Sequence, residues 1–89
     1  MVIFVIAVYD INEKRVGKIL KICRKYLTWI QNSVFEGEIS EANFKKLKYE
    51  LSRIIDKEED SIIFYSFRTT KYLDRQIMGL EKNPTDLII

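Results

Sequence analysis

The first nine residues, Met1 to Tyr9 (MVIFVIAVY), are apolar at every position, and Asp10 follows at once. An apolar run of this length, rich in Val, Ile and Phe, predicts a strand over Val2 to Tyr9 that is buried on both faces. The period then changes. Val16, Ile19, Leu20, Cys23, Tyr26 and Leu27 recur at i, i+3, i+4, i+7, i+10 and i+11. That is one face of an amphipathic helix, predicted from about Asn12 to Tyr26. Lys14, Lys18, Lys21 and Lys25 form a second, basic stripe on the same segment. Gly17 lies inside it and costs about 1 kcal/mol against Ala, which points to close packing or to a partner approaching the backbone.

Thr28 to Ile39 (TWIQNSVFEGEI) carries strand-type residues interrupted by the polar Gln31-Asn32-Ser33, so it is either a hairpin or one bent strand. Ser40 is placed to cap a second helix, with Glu41 favourable to its dipole. Phe44, Leu47, Leu51, Ile54 and Ile55 give that helix its buried face, and the acidic turn Lys57 to Asp60 ends it. Ser61 to Arg68 (SIIFYSFR) reads as another strand, in which Phe64, Tyr65 and Phe67 supply core and cross-strand contacts. Tyr72 to Met78 is a candidate for a further strand. The order is β-α-β-(β)-α-β-β. Two amphipathic helices that can cover one sheet face make a ferredoxin-like α/β (α+β) sandwich, βαββαβ, the economical solution. Residues 1–79 form this domain and 80–89 a C-terminal strand or tail. The uncovered sheet face favours a dimer. The apolar end Leu87-Ile88-Ile89 is suited to adding an edge strand to a partner's sheet.

The chain has 89 residues, room for one modest core. It contains no histidine and a single cysteine, Cys23. This excludes an internal disulfide, histidine-based triads and nearly every zinc site, and leaves carboxylates, hydroxyls, Lys, Arg or a hard metal for any chemistry. The reducing chemistry this implies, with no signal-peptide layout and no membrane span, predicts a cytoplasmic protein. Net charge is only +2. Its distribution says more: Glu13 to Tyr26 holds six basic residues and one acid, whereas Glu41 to Asp60 holds five basic residues and six acids. Positive potential is concentrated on the first helix.

Asp10 is the leading candidate for chemistry, because it stands where the first strand leaves the sheet. Asp10-Ile11-Asn12-Glu13 also fits a capping-box spacing, with Asp10 as the cap of the first helix. One carboxylate is a poor cage for a hard cation, but two copies across a dimer axis, with water and phosphate oxygens, make a plausible magnesium site. Lys14, Arg15, Lys18 and Lys21 are the candidate nucleic-acid contacts, of the salt-dependent and sequence-blind kind. Ser33 has no general base and is not a credible nucleophile. Phe35 reads as core. No aromatic RNA-binding signature occurs around Trp29 or the tyrosines.

Taken in order, Val8-Tyr9-Asp10-Ile11, Arg15, Gln31, Ser33-Val34-Phe35-Glu36-Gly37 and Asp60-Ser61-Ile62-Ile63-Phe64-Tyr65 resemble the CRISPR-associated protein two family, the small subunit of the spacer-acquisition machinery. The resemblance spans about residues 2 to 67. Val16, Leu27 and Trp29 depart from it, and two of these stand where many members carry a basic residue. The resemblance implies a ferredoxin-like homodimer with strand exchange at the C-terminus. It implies a scaffold that bridges dimers of the larger integrase, CRISPR-associated protein one, and holds double-stranded DNA for insertion into a repeat array. It also implies a metal-dependent endonuclease activity in some members, on single-stranded RNA or duplex DNA. There the residue matching Asp10 binds Mg2+ or Mn2+, one ion shared across the dimer. Tyr9, Gln31, Ser33 and Phe35 are then motif positions of structural weight. Two alternatives stay open on the residues alone: a free-standing metal-dependent nuclease, and a toxin-type ferredoxin-like module.

Overall fold

The computed structural model describes residues 1–68 together with 76, 78 and 79. The element order is β1 (Val2–Asp10), α1 (Glu13–Tyr26), β2 (Thr28–Gln31), β3 (Val34–Ser40), α2 (Glu41–Ser52) and β4 (Ser61–Phe67). The strands form one antiparallel sheet in the order β2-β3-β1-β4. Both helices cross from one strand to a parallel one two places away, the split βαβ arrangement of the ferredoxin-like fold. The two helices share one face of the sheet and pack on each other.

β1 is central and pairs along nearly its whole length with β3 and β4. Its side chains alternate. Ile3, Val5, Ala7 and Tyr9 are buried beneath the helices, while Phe4, Ile6 and Val8 are only half-buried on the other face. The expectation of a strand buried on both faces is therefore corrected: within one protomer a single face is covered. Nothing in an unbroken apolar run distinguishes a helix-covered face from one left open. The core adds Ile19, Cys23 and Leu27 from α1 and its end, Phe35 and Ile39 from β3, and Leu47 and Leu51 from α2. Burial pushes the Cys23 thiol up to about 11, so it is an inert core residue rather than a nucleophile.

Several local signals resolve as read and others shift. Gln31-Asn32-Ser33 is a hairpin turn, with Asn32 in the left-handed region at φ 46°, which Asn tolerates better than most residues. Ser40 caps α2, its hydroxyl accepting from the Asn43 amide at 3.0 Å. α2 stops at Ser52, so Ile54 and Ile55 pack from the following turn rather than from the helix. Phe64 meets Phe44 edge-on, centroids 5.3 Å apart, whereas Tyr65 and Phe67 are exposed on the open sheet face. Gly17 has no close packing: a Cβ there would meet nothing within 4 Å. Of the segment Tyr72 to Met78, only Gln76 and Met78 are described, and neither is in a strand. The proposed C-terminal strand over 80–89 lies outside the described residues. Among the described residues, no helix is long and apolar enough to cross a membrane.

Phe35 is wholly buried between β1 and the helices, its ring 5.9 Å from that of Tyr9. Phe35→Ala should cost about 3–5 kcal/mol, the sum of lost transfer energy and a cavity that cannot fully collapse, read as a lower midpoint in urea at unchanged slope.

Candidate functional site

The motif residues gather at the end of the sheet where β1 finishes. The Tyr9 amide donates to the Ser33 carbonyl at 3.0 Å, and the Tyr9 hydroxyl donates to the Asn32 carbonyl at 3.1 Å. The Trp29 indole N–H donates to the same carbonyl at 3.0 Å. These bonds pin the β2–β3 turn against the end of β1. Tyr9, Ser33 and Phe35 are thus part of the frame of the site. Gln31 is exposed at the end of β2.

Asp10 is the last residue of β1, exposed, and paired with Ser61 at the start of β4. By strand alternation it falls on the same face as Phe4, Ile6 and Val8, away from the helices. It therefore cannot cap α1, and the capping-box expectation is corrected. Asn12 is the cap: its side-chain oxygen accepts from the Lys14 amide at 2.9 Å, and the helix begins at Glu13. Spacing alone fitted both residues; pairing of Asp10 with β4 decides between them.

The four candidate cations of α1 divide into two groups. Lys14, Lys18 and Lys21 are exposed on the outer surface of the helix and, among the described residues, have no carboxylate partner. Arg15 is occupied within the chain. Its Nε lies 2.6 Å and a terminal nitrogen 3.1 Å from the two oxygens of Asp60, with Glu59 at 3.7 Å. Lys25, the last of the stripe, pairs with Glu50 of α2, to which the Tyr26 hydroxyl also donates. The Arg15 interaction was beyond sequence reading. Its traces were an acidic turn just before a strand and the presence of both residues among the motif positions.

Asp60 entered the sequence reading only as a motif position at the end of the acidic turn; its pairing with Arg15 is visible only in the structure. Its side chain has 0% exposure. Besides Arg15 it accepts from the Asn12 amide at 2.9 Å and the Asp56 amide at 2.8 Å. The Arg15 guanidinium, helped by these two amides, holds its carboxyl well below the usual carboxylate range.

A hard cation would find one ligand here. Asp10 offers an exposed oxygen donor of the right chemistry for Mg2+ or Mn2+, but among the described residues no three His, Cys, Asp or Glu side chains cluster as a metal site. One chain therefore fits as part of a site, not as a whole one. Asp10 and the lysine stripe also lie on opposite sides of the protomer, Asp10 on the open sheet face and the lysines on the outer surface of the helical layer.

The titration of Asp60 has a fixed sign. Because its folded carboxyl protonates below its ordinary value of 3.8, its contribution to stability is complete above that value and is lost as pH falls below it. Asp60→Asn should lower the melting temperature most at neutral pH. Its curve should approach that of the unsubstituted protein as pH falls below about 4. Thermal melts across this range check it.

The family model for CRISPR associated protein Cas2 matches residues 1–75. A CRISPR-associated endoribonuclease Cas2 from Dictyoglomus turgidum is 59% identical over 86 residues, covering 97% of this chain and 99% of the relative. The protein of that description from Thermotoga maritima is 54% identical, covering 96% and 98%. A crystal structure of Cas2 superposes with a TM-score of 0.85 at 43% identity, covering 94% of both chains. Streptococcus pyogenes Cas2 superposes at 0.71 and 33% identity, covering 84% of this chain and 99% of that one. On these matches, nearly complete in both directions, the chain belongs to the CRISPR associated protein Cas2 family.

Proposed function

We propose that the protein acts in CRISPR adaptation as a homodimeric scaffold that binds duplex DNA and bridges integrase subunits, with Asp10 serving a secondary, metal-dependent endonuclease activity. The observation that carries the scaffold reading is the row Lys14, Lys18 and Lys21, unpaired among the described residues and spread over about 10 Å of one helix surface. Cations so arranged suit a phosphate backbone and read no bases. The dimer is supported by the open sheet face, where Phe4, Ile6 and Val8 lie beside Phe67, Tyr65 and Ile63 in register. Tyr65 and Ile63 are 53% and 49% exposed, and an apolar stripe of this kind on so small a domain calls for cover.

The nuclease reading draws on Asp10 and on the relatives, which are named endoribonucleases. Paired across a dimer, two Asp10 carboxylates would hold Mg2+ or Mn2+, and the ion would supply charge stabilisation and an activated water at a phosphodiester. The chain's own part is to present the carboxylate, exposed, at the end of β1. Without histidine the chain has no imidazole to move a proton, so the substrate, water or a carboxylate must do so. Single-stranded RNA and duplex DNA are both substrates of the required chemistry.

Reversing Lys14, Lys18 and Lys21 to Glu should weaken duplex binding and flatten the dependence of log affinity on log salt by about 0.9 per phosphate contact removed. An unchanged slope would remove the stripe from the DNA interface. In an integration assay with the cognate larger subunit, a short duplex and a repeat-containing target, omission of the protein should abolish insertion. Asp10→Ala should retain it. Loss of insertion in that variant, with the complex intact, would instead make Asp10 part of the integration chemistry.

A further inference from the structure

We infer that Asp60, with Arg15, is a positioning device for Asp10, an inference that rests on the metal-binding reading of Asp10 above. Asp10 is the last paired residue of β1 and Asn12 is the cap of α1, so Ile11 alone separates them. On the strand side Asp10 is held by its pairing with Ser61. On the helix side the chain is held where the Asn12 amide donates to Asp60 at 2.9 Å. The two restraints flanking Asp10 thus end on consecutive residues. A third comes from the Asn12 side chain, whose Nδ2 donates to Glu59 at 3.1 Å while its oxygen caps the helix.

Asp60 is itself immobilised. It is fully buried, gripped at both oxygens by the Arg15 guanidinium, and bonded to the Asp56 amide within its own turn. A flexible carboxylate is a weak ligand for a small hard cation, and a site with few protein ligands depends on how firmly each is aimed. Arg15 works from within this network. Its fork matches a carboxylate at two points, which a lysine cannot reproduce. Its charge is spent on Asp60 rather than presented to a phosphate.

The test uses the full-length protein and Mn2+ alone, read by electron paramagnetic resonance, with amide hydrogen exchange at Asn12 alongside. Asp60→Asn should weaken Mn2+ binding by about tenfold, the usual consequence of losing a partner behind the ligand shell, and should speed exchange at Asn12. Arg15→Lys is the milder variant should Asp60→Asn fold poorly. It should weaken Mn2+ in the same direction. Ile39→Ala, a destabilised core variant paired with Ile3 at the opposite end of β1, controls for stability and should bind Mn2+ normally. Asp10→Ala tests the underlying reading: undiminished Mn2+ binding in that variant would overturn the metal assignment itself. Loss of binding in Asp10→Ala, with full affinity in Asp60→Asn and Arg15→Lys, would leave the metal assignment standing and overturn the positioning role.

Discussion

The buried carboxylate of Asp60 ties the start of α1 to the turn that runs from α2 into β4, 45 to 48 residues away in sequence. An anion sealed from water is costly unless every lone pair is used, and here both oxygens accept two bonds, one from the guanidinium and one from a backbone amide. The cost is what makes the arrangement specific. Arg15 over Asp60, with the Asn12 amide beside it, seats the start of α1 at one position against the turn before β4. The other end of α1 is tied differently, by Lys25 and Tyr26 to Glu50. The Lys25–Glu50 contact is half in solvent and screened by it, so it adds little to that seating.

Much of the fold was legible because its signals are local. The 3.6 period of α1, the Ser40 cap and the polar break at Gln31-Asn32-Ser33 each depend on residues within one or two turns of chain. What was not legible depends on pairs distant in sequence. Asp10 and Asn12 both had a capping side chain at a suitable place; the pairing of Asp10 with Ser61 sends it to the far face and leaves the cap to Asn12. Arg15 belonged to a basic segment and read as a phosphate contact, although its partner lies 45 residues away. The family motif did contain both members of this pair, Arg15 and Asp60. It was read as a signature of function, when the geometry makes it first a signature of how α1 is seated.

The alternation along β1 carries the last step. Phe4, Ile6, Val8 and Asp10 share one face, and Phe67, Tyr65, Ile63 and Ser61 lie opposite them in register. The apolar stripe that calls for a partner therefore ends in a carboxylate. If two such faces meet about a two-fold axis, Asp10 stands at the rim of the apolar contact, where it can keep its water and face a cation. Lys14, Lys18 and Lys21 project from the opposite side of the protomer, across the helical layer. Dimerisation on the sheet face would leave them untouched, so on the proposed reading a duplex at the helices and a cation at the sheet edge would not compete for the same surface. On that reading, loss of one need not entail loss of the other.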